Sequence, residues 1–184
     1  MIALTEKSQL VIIDMQEKLS SAMPKEVISK IIRRCELLIT VANELAIPQI
    51  CTEQYPKGLG HTISKMMPLL SEAKFVEKTV FSCTDEPIFL RYLIKTRPQI
   101  FLIGMEAHIC VLQTALGLIK SGKEVFIIED AIVSRNISNK QNALNRLREA
   151  GCFITNTESA VFEWLKNSEN ETFKKVAPLI KDID

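Results

Sequence analysis

The sequence predicts an α/β fold, a parallel sheet covered by helices on both faces, and three observations carry that prediction. Short apolar runs rich in Val, Ile and Phe recur along the chain, separated by longer segments whose apolar residues repeat at helical spacing. The short runs are apolar almost throughout rather than alternating, as strands buried on two faces are. The chain has 184 residues, 47% of them hydrophobic, enough for one substantial core, so residues 1–184 are read as a single domain.

The elements follow in order. "QLVIIDM" (9–15) is the first strand, and 25–46 is a long amphipathic helix ended by the "IP" that follows it, because the residue before a proline is pushed out of the helical region. "PQICTE" (48–53) is the second strand and "KFVEKT" (74–79) the third. A helix is expected over 85–96 with Asp85 as its cap, then a fourth strand, "QIFLIGM" (99–105). Val111, Leu112, Ala115, Leu116 and Ile119 recur at helical spacing after it, which puts Cys110 in the first turn of the next helix. There the unpaired amide donors of a helix start favour a thiolate. "EVFIIED" (124–130) is strand five, 138–150 a helix capped by Ser138, and "CFITNT" (152–157) strand six. Residues 157–184 read as two helices. Their apolar positions Phe162, Trp164, Leu165, Phe173, Val176, Leu179 and Ile180 serve either packing on the chain's own sheet or a subunit interface.

In a wound parallel sheet, right-handed crossovers and a reversal of winding open a crevice at the carboxyl ends of the strands, where ligands bind. The residues placed there are Asp14 and Gln16, then Glu53 and Gln54, Lys78, Cys110 and Asp130. With the strand order 3-2-1-4-5-6, the third strand lies two strands from the first, about 10 Å away. Lysine's length and an inward bend must close that gap. The longest irregular segment, "TEQYPKGLGHT" (52–62), is of a length that is often functional in a compact domain.

Composition narrows the partners. Lys and Arg number 23 against 22 Asp and Glu, with no basic block, which argues against nucleic acid and against an acidic membrane surface. The first apolar stretch ends at Asp14, too short for a membrane span and without a basic leader, so a cytoplasmic protein is expected. The five cysteines, Cys35, Cys51, Cys83, Cys110 and Cys152, form no CxxC pair and read as reduced thiols. All but Cys110 look like small hydrophobes.

A cysteine hydrolase needs a thiolate, a group to take and return its proton, a cation, and donors for an oxyanion. Cys110, Asp14 and Lys78 offer the first three. Taken singly, Asp14 reads equally as a cap or loop bridge, and Lys78 as a solvated lysine. Together, "VIIDMQ", "EKTVFSC" and "GMEAHICVLQTAL", in that order on the βα alternation, resemble the Asp, Lys and Cys motifs of the isochorismatase-like hydrolase family. "TEQYPKGLG" resembles its subgroup of isochorismatase domain-containing proteins. The resemblance spans nearly the whole chain. It implies a three-layer αβα sandwich with a six-stranded parallel sheet, Cys110 as nucleophile, Asp14 as general base and Lys78 as the cation between them. It also implies a cis peptide between Met105 and Glu106, with the amides of Glu106 and Cys110 as oxyanion donors.

Nicotinamidases, similar in other respects, carry a metal site built from Asp-x-His and a later His. Here "TEQYPKGLGHTISK" offers Glu53 and His61 without that pair, so no catalytic metal and no cofactor are expected. The thiol argues for attack at an electrophilic carbon of a small molecule: an amide, imide, carbamoyl or ester carbonyl. Gln16, Gln54, Tyr55, Phe81 and His108 are the candidate pocket residues, each of which also has a core or loop-packing reading. The family commonly forms homodimers or homotetramers. The alternative is a non-catalytic or redox-sensing interaction protein that keeps the fold.

Overall fold

A computed structural model describes residues 1–181 and Ile183. Its elements are β1 (Ser8–Ile13), α1 (Glu17–Ser20), α2 (Lys25–Glu44), β2 (Gln49–Gln54), α3 (Pro56–Leu59), β3 (Lys74–Lys78), α4 (Pro87–Tyr92), β4 (Gln99–Met105), α5 (Leu112–Lys120), β5 (Glu124–Val133), α6 (Ile137–Glu149), β6 (Phe153–Thr155), α7 (Thr157–Leu165) and α8 (Glu171–Lys181). The six strands are parallel and lie in the order β3-β2-β1-β4-β5-β6. That is the expected doubly wound sheet, with its winding reversed between β1 and β4.

Two apolar layers cover it. Successive strand residues point to opposite faces, so Leu10 and Ile12 of β1, Phe101 and Ile103 of β4 and Phe126 of β5 pack with α2, α7 and α8. Val11, Ile13, Leu102 and Ile127 face the other way, toward α4, α5 and α6. On the first face Phe101 stacks on Phe126 at 4.5 Å, and Trp164 meets Phe101 edge-on at 4.8 Å. Trp164 then donates its indole N–H to Ser8 Oγ at 3.0 Å, so α7 closes this layer as intrachain packing. Two helices do occupy the C-terminal segment; Asp182 and Asp184 lie outside the described residues.

Three local expectations need correction. α4 starts at Pro87 and is capped by Glu86, whose carboxylate accepts from the Ile88 amide at 3.2 Å, not by Asp85. A proline takes the first helical position, which moves the cap to the residue before it. α6 is capped by Asn136, which accepts both the amide and the hydroxyl of Ser138. Strand five runs on to Val133, because its register against β4 jumps between Leu102↔Ile127 and Gly104↔Ile132. Asp130 therefore does not end the strand at the crevice. Its carboxylate accepts from the Thr157 amide and hydroxyl, both at 2.8 Å, and pairs with Arg34 at 3.2 Å.

Candidate active site

β1 delivers its carboxylate through a sharp change of backbone direction. Asp14 has φ +52°, the left-handed region that L side chains seldom adopt and that aspartate tolerates better than most. Its amide donates to the Thr52 carbonyl at 3.1 Å, which ties the turn to β2. The side chain then lies fully buried, with Thr52 Oγ1 donating to Oδ1 at 2.6 Å and Lys78 Nζ donating to Oδ2 at 2.7 Å.

Lys78 crosses β2 to reach it. In register Lys78 stands opposite Gln54 on β2, and Thr52 opposite Ile13 on β1, so the ammonium spans the intervening strand along the carboxyl edge of the sheet. Gln54 supports it midway: its Oε1 accepts from Nζ at 2.7 Å while its Nε2 donates to the Thr79 carbonyl at 2.8 Å. The carbonyls of Val80 and Phe81 stand 3.4 Å from the same nitrogen. Both side chains of the Lys78–Asp14 pair have zero exposure. Burial pulls the ammonium down most strongly, but the Asp14 carboxylate together with the neighbouring Cys83 and Cys110 more than offsets it and holds the ammonium above its ordinary range.

Cys110 approaches from the other side. Gly104, at φ +115°, lies so close to β1 that a Cβ there would sit 2.0 Å from the Ile13 carbonyl oxygen. Only glycine lets β4 run against β1 at the point where the chain turns to the cysteine. The Met105–Glu106 peptide that follows is cis. Cys110 then lies in a single wide π-type turn, Ala107–Val111, which runs into α5 at Leu112. The position at the start of a helical segment is as expected, but its effect on the sulfur is not. Burial first, and the neighbouring Asp14 carboxylate second, hold the thiol well above its ordinary range, against the pull of Lys78. That direction favours a resting thiol over a thiolate, with the Asp14 carboxylate as its neighbouring charge.

The candidate pocket residues divide into two sets. Gln16 and Gln54 are structural braces: Gln16 Nε2 donates to the Gly60 carbonyl at 2.6 Å and the Gln54 carbonyl at 3.0 Å, and its Oε1 accepts the Gln54 amide at 2.7 Å. Their amides are committed to holding the 55–62 loop and Lys78. Tyr55 and Phe81 are instead more than half exposed, and a cleft of about 330 Å³ opens between Tyr55, Pro56, Glu77, Lys78, Thr79 and Glu86. His108 is partly exposed, its Nδ1 3.0 Å from Ser134 Oγ. Glu106 is buried and receives the Arg135 amide and Nε, fixing the turn before Cys110. Glu53 accepts the Thr62 amide at 2.6 Å and lies 3.0 Å from His61, and these bonds hold its carboxyl below the usual range despite burial. Among the described residues no group of three or more His, Cys, Asp or Glu is arranged to hold a metal.

Two contributors escaped the sequence reading. Thr52 touches Asp14 directly, and Cys83 is fully buried beside it with Sγ 4.0 Å from Thr52 Oγ1. Burial raises the Cys83 thiol to about 11 against the lowering effect of Lys78. A polar threonine in the otherwise apolar centre of "PQICTE" was the signal available for the first; nothing marked the second.

The order of these motifs on this sheet matches a known pattern: the isochorismatase domain profile fits residues 8–159. The chain belongs to the isochorismatase family. It is 38% identical over 181 residues to isochorismatase family protein 1B of Dictyostelium discoideum, covering 96% of this chain and 87% of that protein. With isochorismatase domain-containing protein 2 of Danio rerio it shares 34% identity, over 96% and 88% of the two chains. The solved structure of MAR1 ribonuclease from Caenorhabditis elegans superimposes with a TM-score of 0.92 at 35% identity, covering 98% of this chain and 93% of that one. Membership in this family assigns hydrolase chemistry in general. No helix among the described residues is long and apolar enough to cross a membrane.

Proposed function

We propose that the chain is a cysteine-dependent hydrolase of a small molecule, acting on an amide, imide, carbamoyl or ester carbon through a covalent Cys110 intermediate. The observation that carries this reading is the fully buried Lys78–Asp14 pair at 2.7 Å, whose carboxylate acts on the neighbouring Cys110 thiol. The carboxyl ends of β1 and β3 and the turn after β4 bring a carboxylate, an ammonium and a thiol into one largely buried site.

In the first half-reaction the Cys110 sulfur attacks the carbonyl carbon as its proton passes to Asp14. The charge that develops on oxygen is received by the amides of Glu106 and Cys110, donors of the kind whose individual removal costs about 10²–10³ in rate. Asp14 returns the proton to the departing nitrogen or oxygen, the carbon–heteroatom bond breaks, and a thioester remains. Water then attacks the thioester with Asp14 taking its proton. The thioester opens, the acid leaves and Cys110 regains its hydrogen. Lys78 stays charged throughout and keeps the carboxylate aimed at the sulfur. Tyr55, Phe81 and the partly exposed His108 are the side chains assigned to meet a small planar substrate.

The test is a panel of small amides, imides, carbamoyl compounds and esters, offered to the wild type and to Cys110→Ala, with acid-quenched mass spectrometry for the acyl adduct. Turnover by the wild type that falls by orders of magnitude in the variant supports the reading, as does an adduct on Cys110. Equal turnover in Cys110→Ala refutes it. An RNA oligonucleotide belongs in the panel because one similar structure is named a ribonuclease; the near balance of 23 basic and 22 acidic residues favours the carbonyl compounds. Self-association completes the proposal: Phe162 of α7 and Leu179 of α8 leave apolar surface exposed, and a mass measurement in solution decides between monomer and assembly.

A further inference from the structure

We infer that Thr52 is a positioning residue that decides where the proton shared by Cys110 and Asp14 rests, keeping it on the sulfur until substrate arrives. The inference rests on the proposed role of Cys110 and adds a group that this role does not require. At 2.6 Å between Thr52 Oγ1 and Asp14 Oδ1, one of the two atoms must supply a hydrogen, and a carboxylate has none. The hydroxyl is held in that sense from behind. Its oxygen lies 3.3 Å from the Asp14 amide and 4.0 Å from Cys83 Sγ, two donors that occupy its lone pairs and leave its own hydrogen aimed at Oδ1.

A carboxylate that receives Thr52 on one oxygen and Lys78 on the other loses part of both bonds when it accepts the sulfur's proton. Thr52 therefore stabilises the pair in its carboxylate–thiol form over its acid–thiolate form. Among the described residues, the titratable groups that feel the Asp14 charge are Lys78 from β3, Cys51 from β2, Cys83 from the turn after β3, and Cys110 itself. The burial-raised thiol of Cys110 agrees with this direction. The advantage is protection, because a neutral thiol reacts slowly with adventitious electrophiles.

The prediction runs opposite to the usual result of damaging a site. Removing the hydroxyl in Thr52→Val releases the bias, so the acid–thiolate form gains by about tenfold, the equilibrium effect of one charge-assisted hydrogen bond. Measured as the rate of acrylamide addition to Cys110, located by mass spectrometry, Thr52→Val reacts about tenfold faster than wild type on the neutral plateau. Its acid limb moves up by about one pH unit. Below the limb the two rates coincide, since the doubly protonated pair loses a sulfur proton equally well in both. Thr52→Ser keeps the hydroxyl and follows the wild-type profile. Thr52→Ala asks the same question should the valine variant fail to fold. Rates in Thr52→Val and Thr52→Ala equal to or below wild type overturn the inference, as does a serine variant that behaves like valine. A wild type in which acrylamide does not choose Cys110 overturns the nucleophile reading and this inference with it; selective labelling with unaltered profiles overturns only the role of Thr52.

Discussion

Replacing Lys78 by methionine keeps the length of the side chain and removes its charge, which leaves the Asp14 carboxyl without its counter-charge in a site with zero exposure. Exposed ion pairs contribute roughly 0–1 kcal/mol, whereas breaking a fully buried pair at one partner costs about 3–5 kcal/mol through the charge left behind. Lys78 belongs to the second class, because its ammonium touches the Asp14 carboxylate and the Gln54 amide oxygen, both at 2.7 Å. In a chain of 184 residues each kcal/mol shifts the melting temperature by about 2–4 °C, so Lys78→Met is expected to melt roughly 6–20 °C below wild type. Urea unfolding of Lys78→Met, Asp14→Asn and the double variant separates the charge from the packing. The double variant buries two neutral groups and should cost at least about 2 kcal/mol less than the two single costs added. Strict additivity, or a Lys78→Met cost below about 1 kcal/mol, would refute the claim that the pair acts as one buried unit.

Two more outcomes follow from other parts of the fold. Gly104→Ala must push a Cβ against the Ile13 carbonyl, 2.0 Å from its ideal position, so β1 and β4 separate at the site. A loss of about 2–4 kcal/mol in chemical denaturation, with loss of Cys110 labelling selectivity, is the expected result, and a wild-type melting curve would contradict it. The buried thiols make the protein sensitive to alkali. Cys51, Cys83 and Cys152 are pushed up to about 12, 11 and 11 from an ordinary 9.0. The folded state thus holds protons that the unfolded state releases, and their contribution is complete below about pH 9 and lost as pH rises toward 11–12. Thermal midpoints should be level near neutrality and fall above about pH 9, less steeply in Cys83→Ala; a midpoint that climbs through this range would contradict the assignment.

The sheet and its order were legible because most strands announced themselves twice, by an apolar run and by the helix that followed, while β3 was marked only by its place in the alternation. Boundaries were legible only where a proline or glycine marked them. The shift of caps from Asp85 to Glu86 and from Ser138 to Asn136 reflects competition between neighbouring polar residues that differ by one or two positions, which only backbone geometry resolves. Asp130 was misplaced for a different reason: an acidic pair after an apolar run looks like a strand end, and the three-dimensional register alone shows β5 continuing past it. Asp14, Lys78 and Cys110 could be brought together from motif order, but the means could not. Nothing in one dimension says that Gln54 would support Lys78 across β2, or that burial would keep Cys110 protonated despite its place at a helical start.

β3 lies at the edge of the sheet, and of its five residues Lys74, Phe75 and Glu77 are exposed while Val76 is the one buried apolar side chain. By apolar packing alone this edge strand should fray readily. What fastens it is Lys78, whose ammonium reaches under β2 to a carboxylate on the strand beyond. Local opening of β3 therefore has to extract a charged group from its counter-charge, and amide exchange along this strand should slow or quicken with the state of Asp14. The contact proposed to hold the chemistry in place is also a latch on a thinly packed margin of the fold, so loss of the site and loosening of the edge become one event.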